Sequence, residues 1–259
     1  MGHVQIQNSI QPGAGKAPRK PPKDKSTEQV EREFVDAFVK GGEALSGESL
    51  KDRAQSFEAT GLTPTTAAFL SVASCVAPVQ ALALAGASFA TTQPQILETL
   101  EEPYADQREP LGQVGDGVEL YAHPQVPAAF TNGAAVYINP SLTEHLNTPV
   151  LDWIVGHELG HIQSQDGLAA IGRSFLIGQL KRDKMDESLL QGLESAHHSL
   201  NRECEFESDA EGLEYAVSRG HSREVVVKSV GGFLSAMPGG FDTTHPEPAD
   251  RIEKLQSGE

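Results

Sequence analysis

Cysteine is scarce in this chain, with only Cys75 and Cys204 among 259 residues. Two thiols cannot form a disulfide framework, and their spacing does not suit a metal knuckle, so cysteine leaves the cellular compartment open. Positive charge is also in short supply: 20 Lys and Arg stand against 36 Asp and Glu, a formal net charge of -16. Such a field repels phosphate backbones and anionic lipid surfaces, which excludes nucleic acid as an expected partner. The opening MGHVQIQNSI has no basic segment followed by an apolar run, and Ile6 stands where a myristoylation motif wants Ser or Thr. The expected location is therefore cytoplasmic, or exported without an ordinary signal peptide.

Long hydrophobic runs are absent but for one. Residues 67–90 (AAFLSVASCVAPVQALALAGASFA) carry no charge and are long enough to span a bilayer. Ala and Ser dominate the run, however, and Pro78 and Gln80 sit near its middle. Membrane association through 67–90 is therefore not favoured, and buried helix is the preferred reading. Val72-Ala73-Ser74-Cys75 resembles a lipoprotein cleavage box, but it lies far from the start of the chain and follows no signal segment.

With 38% hydrophobic residues, the chain can build one sizeable core, or a main domain with a smaller extension. Its few basic residues are concentrated early: Lys16, Arg19, Lys20, Lys23 and Lys25 face only Asp24. This Pro- and Lys-rich stretch, residues 1–27, reads as a disordered tail. Residues 28–95 read as a helical N-terminal region, with Val30, Phe34 and Phe38 marking an amphipathic helix. Residues 96–259 form the remaining domain. After Pro110 the texture turns to short strands: Val118–Ala122 alternates, and Ala134–Ile138 follows the turn signal Thr131-Asn132-Gly133. Thr148 can cap a helix with Pro149 in its first turn, running to about Asp166 with Gly167 to end it.

That helix contains His157-Glu158-Leu159-Gly160-His161. Positions four apart share a helix face, so both imidazoles can reach one ion, while Glu158 is rotated by about 100° and can address a water beside it. A helix with two unrelated histidines would show the same five residues. Val150, Leu151, Ile154 and Val155 make the helix apolar ahead of the motif, as a zinc helix buried on one side requires, and Gly160 permits close approach of a neighbour.

A third ligand must come from another element, and NRECEFESDAEGLEYA at 201–216 offers several acids. At 100° per residue, Glu203, Glu207, Glu211 and Glu214 fall on one stripe, expected to be solvated, and Phe206, Ala210, Leu213 and Val217 on another, expected to be the core. Glu205 stands about 160° from Glu203 and Glu207 and shares a face with Asp209, Gly212 and Ala216. An acid among small residues suits close approach to a metal helix, with Asp209 placed to receive the second N–H of a zinc-bound imidazole. The competing reading makes Glu205 and Asp209 an acidic pair on the helix surface.

Four blocks give the chain a family likeness: PAAFTNGAAVYINPSL at 127–142, IVGHELGHIQSQD at 154–166, RECEFESDAEGLEYA at 202–216 and TTHPEPADRIEKL at 243–255. In this order they resemble the gluzincin metallopeptidases that include HtpX, the CAAX prenyl endopeptidase and the mitochondrial protease OMA. The resemblance implies an α+β fold: a mainly helical zincin-type domain with a small β-sheet whose edge strand flanks the active-site helix. It implies one zinc per chain on His157, His161 and Glu205, Glu158 as general base, and Asp209 behind the ligands. Arg202, Thr244, Pro246 and Ile252 also fall on the family's pattern, and His245 and Arg251 are implied to line or support the site. Unlike the membrane-embedded members, this chain has no convincing spans flanking the domain.

The expected function is zinc-dependent endopeptidase, with protein or peptide substrates. Ala135, Val136, Tyr137 and Ile138 are expected to pair with an extended substrate backbone, and His245 to donate to the tetrahedral oxyanion. Two alternatives stand beside it. One is a zinc-bearing interaction or chaperone-like protein with a peptidase fold, which has no need of Glu158. The other is a secreted effector or toxin protease, suggested by the Pro- and Lys-rich start.

Overall fold

The computed structural model describes residues 26–94, 96–97, 104–126, 128–236 and 245–258. The tail expected over 1–27 lies outside these but for its last two residues, and Thr244 lies outside them as well. The architecture is α+β, mainly helical with one small sheet.

Helices α1 (Thr27–Ser46), α2 (Lys51–Glu58), α3 (Pro64–Ala73) and α4 (Pro78–Thr92) open the described chain. Ser26 caps α1 through its side chain, and Gly47 ends it at φ 71°. The uncharged run 67–90 is thus divided between α3 and α4, because Pro78 starts a new helix and cannot continue the old one. No helix among the described residues is long and apolar enough to cross a membrane. Instead, Phe34, Phe38, Phe69, Leu82 and Phe89 enter a core with Leu176, Ile177, Leu180, Leu190 and Leu193 from later helices. The N-terminal helices and the later helices therefore share one hydrophobic interior.

Strands β1 (Glu109–Val114), β2 (Val118–Ala122), β3 (Ala129–Thr131) and β4 (Ala135–Ile138) form a sheet of order β1-β2-β4-β3. β2 pairs with β4 in parallel, and β3 pairs with β4 antiparallel. β4 is therefore an interior strand. Val136 and Ile138 pack with Val155 and Leu159, while Ala135 and Tyr137 face Val126 and the rings of Tyr104, Tyr121 and Phe130. The expectation that Ala135, Val136, Tyr137 and Ile138 receive a substrate strand is corrected here: both hydrogen-bonding edges of β4 are occupied. Among the described residues, the edge strand on this side is β3.

The site is carried by α5 (Pro140–His145), α6 (Thr148–Ser164), α7 (Asp166–Arg182), α8 (Glu187–Ser218), α9 (Arg223–Ala236) and α10 (Pro248–Ser257). Asn147, not Thr148, caps α6, accepting from the Val150 amide at 3.2 Å with Pro149 in the first turn. The helix stops at Ser164 because Gln165 adopts left-handed φ 59°, and Gly167 lies inside α7 rather than ending α6. The chain turns there through a single residue, which brings Asp166 back toward the last turn of α6.

α6 and α8 cross in close contact, and glycines allow it. A Cβ on Gly212 would lie 2.6 Å from the Trp153 carbonyl oxygen, and one on Gly160 would lie 3.1 Å from the Ser208 Cα. The buried stripe of α8 is Glu205, Ser208, Asp209, Gly212, Leu213 and Ala216. Ala210, expected in the core, is exposed, whereas the acidic residues 203, 207, 211 and 214 are solvated as expected. The packing face is turned toward the small residues because they let the helix axes approach; an Ala210-centred face has nothing comparable.

Candidate metal centre

His157 and His161 project from α6 with Nε2 atoms 3.2 Å apart. Glu205 approaches from α8, with Oε2 3.5 Å from His157 Nε2 and Oε1 3.4 Å from His161 Nε2. These three side chains are the one group among the described residues whose His, Cys, Asp or Glu donors converge as metal ligands do. Glu205 Oε2 is buried and accepts no hydrogen bond. An orphaned carboxylate oxygen costs free energy unless something cationic meets it. Donors about 2.0–2.2 Å from a tetrahedral zinc are separated from one another by roughly 3.3–3.5 Å, which is the spacing seen here. The residues present therefore fit a zinc ion.

Behind the ligands, each imidazole is oriented through its other nitrogen. His157 Nδ1–H donates to Asp209 Oδ1 at 2.9 Å, so its Nε2 lone pair faces the ligand cluster. His161 Nδ1–H donates to Asp166 Oδ2 at 3.0 Å, and Ser208 Oγ lies 3.0 Å from the same nitrogen. Asp209 also accepts from Arg251, whose Nε is 2.7 Å from Oδ2 and whose second nitrogen bonds Oδ1. Trp153 Nε1–H donates to the Asp209 carbonyl at 3.2 Å, and the Arg251 guanidinium lies 5.4 Å from the centroid of that indole ring. Asp209 thus links α6, α8 and α10 at a point where it is 1% exposed.

The electrostatics follow from this burial. Desolvation opposes ionisation of Asp209, but Arg251 and His157 outweigh it and hold the carboxyl below its ordinary range. Glu205 is likewise held low against its burial by His161 and His157. Burial would lower the His161 imidazolium, yet the bonds to Asp166 and Glu205 push it up to about 10. Glu158 responds in the other direction: burial raises its carboxyl, with His157 and His161 only partly offsetting that and Glu205 adding to it.

The site opens into a cleft of about 320 Å³, whose walls include β3, the Asn132-Gly133 turn, Glu158 and His245. His245 Nε2 stands 3.6 Å from Glu205 Oε1, and the side chain is 41% exposed at the cleft. His157, Glu158, His161, Glu205 and His245 line this cleft, Asp209 and Arg251 lie behind the ligands, and the β4 residues do not line it. Asp166 and Ser208 were not anticipated as imidazole partners. Ser208 lies one turn from Glu205, so helix periodicity could have found it; Asp166 required knowledge of the Gln165 turn.

A helix presenting two imidazoles and an acid, crossed by a second helix presenting a carboxylate, defines a metal-dependent hydrolase centre. The family model of peptidase family M48 matches residues 91–259, so the chain belongs to that metalloprotease family. No curated protein and no solved structure matches it.

Proposed function

We propose that this protein is a zinc-dependent endopeptidase acting on extended segments of protein or peptide substrates. The observation that carries the reading is the convergence of His157, His161 and the orphaned Glu205 oxygen beside Glu158 in an open cleft. A zinc ion held there supplies Lewis-acid polarisation of the scissile carbonyl and a water of lowered pKa. Glu158, buried in the cleft wall beside His157 and His161, accepts a proton from the attacking water and delivers it to the departing amine as the C–N bond breaks. His245, at the cleft and near Glu205, donates to the oxygen that gains charge. The outer edge of β3, the edge strand among the described residues, pairs with the substrate backbone, which restricts cleavage to segments that can become extended.

Glu158→Gln preserves shape and leaves all three ligands in place while removing the proton acceptor. Zinc content should be unchanged, and hydrolysis of casein or of a peptide mixture should fall by roughly 10²- to 10⁴-fold. Equal cleavage by wild type and the Gln variant would rule out Glu158 as the base.

A further inference from the structure

Arg173 of α7 lines the same cleft as the metal ligands but has no part in the mechanism above. It is 4% exposed. Its Nε–H donates to His197 Nδ1 at 3.4 Å, and a terminal nitrogen donates to Asn201 Oδ1 at 2.7 Å. The Cys204 thiol is a further neighbour. None of these partners is a carboxylate. Burial and the guanidinium itself lower the His197 pKa, which keeps that ring an acceptor. Asp166 is the carboxylate that acts on Arg173 electrostatically, and it is committed to His161.

A guanidinium stays charged at any working pH and carries five N–H donors in a fork matched to a carboxylate. Burying one with no carboxylate bonded to it is costly, and here the nearby Asp166 charge offsets the desolvation only in part. Arg251 shows the contrasting case in this same protein, with Asp209 gripped through two bonds. A purely structural strut between α7 and α8 would need no charge at the wall of a substrate cleft. We propose that Arg173 is a specificity-determining residue that binds a carboxylate of the peptide substrate while the scissile bond lies at the metal centre. The carboxylate is either an acidic side chain near that bond or the substrate's own C-terminus. The inference rests on the peptidase reading of this cleft.

The test uses full-length, zinc-loaded protein and matched fluorogenic peptides. One set moves a single Glu or Gln along the sequence, and the other compares a free C-terminal acid with its amide. Wild type should favour the carboxylate member at one place by on the order of 10- to 100-fold in kcat/KM, the effect of a charge-assisted bond in a desolvated site. A preference confined to the first set identifies a side chain, and one confined to the second identifies the terminus. The ratio should collapse toward one in Arg173→Gln and recover in part in Arg173→Lys. Should Arg173→Gln not fold, Asn201→Asp supplies an internal carboxylate beside the guanidinium and should suppress the same preference.

No carboxylate preference in wild type overturns the proposal, as does a preference that survives in the folded variants. Fluorescence anisotropy of the same peptides on the zinc-loaded Glu158→Gln protein separates this from failure of the peptidase reading. If no peptide is cleaved, including neutral ones, that reading falls, and equal binding of each Glu and Gln or acid and amide pair removes the role of Arg173 as well.

Discussion

Replacing Asp209 by Ala should damage stability and metal affinity together, because one carboxylate serves two buried partners. Its loss leaves the Arg251 guanidinium, with a side chain 12% exposed, without its anion, and leaves His157 Nδ1–H without its acceptor. Removing one member of a buried ion pair typically costs about 3–5 kcal/mol, well above the roughly 0.5–1.5 kcal/mol of an ordinary hydrogen bond. Urea unfolding in the presence of a chelator reads that cost in the metal-free protein. Competition with a chromophoric chelator should separately show zinc binding about 10- to 100-fold weaker, the usual effect of losing an imidazole's outer partner. Adding Arg251→Met removes the stranded charge, so the double variant should be less destabilised than the sum of the single changes. Asp209 is depressed in the folded state, so its stabilisation is present above the ordinary carboxylate pKa of 3.8 and is lost as pH falls through the lower folded value. The deficit of Asp209→Ala should therefore be flat from pH 5 to pH 8. A deficit below about 1 kcal/mol with unchanged zinc affinity would refute the account of Asp209 as the link between α6, α8 and α10.

Gly212→Ala should destabilise despite a helix-propensity gain of about 1 kcal/mol, because the new methyl meets the Trp153 backbone oxygen at 2.6 Å and overpacking costs about 1–3 kcal/mol; a more stable variant with full zinc affinity would contradict the crossing. In the metal-free chain His161 is raised from 6.5 to about 10, so its contribution to stability is full below pH 6.5 and is lost as pH rises through about 10. Zinc must displace that proton, so apparent affinity should climb about tenfold per pH unit near neutrality, with about one proton released on calorimetry in buffers of different ionisation enthalpy. Deleting residues 1–95 should yield an unfolded or aggregating product by circular dichroism. Phe34, Phe38, Phe69 and Phe89 pack against Leu176 and Leu180, and at about 1.5–3 kcal/mol for each buried Phe their loss is comparable with the whole stability of a domain.

Much of the centre was legible before any folding was considered, since it depends on positions within single helices. The four-residue spacing of His157 and His161 is a property of α6 alone, and the angular separation of Glu205 and Asp209 from the acidic stripe is a property of α8 alone. Strand β2 was legible for the same reason, because alternation along Val118–Ala122 is local. The likeness of the four blocks added His245 and Arg251, for which spacing by itself offered no role.

Tertiary structure decided what depends on which element lies beside which. The residues of β4 look the same in sequence whether the strand is at an edge or in the interior, and only its pairing with both β2 and β3 makes it interior and β3 the edge strand among the described residues. Residues 67–90 look like one apolar run, but burial against α1 and α7 lets Pro78 divide them into two packed helices. Asp166 reaches His161 only because Gln165 turns the chain in the left-handed region, and Arg173 comes to line the cleft, bonded to His197 and Asn201 and to no carboxylate, only once α7 and α8 pack. Sequence determines periodicity and donor chemistry because these repeat along one element; strand neighbours and charge partners are set by contacts between distant segments, which no single element encodes.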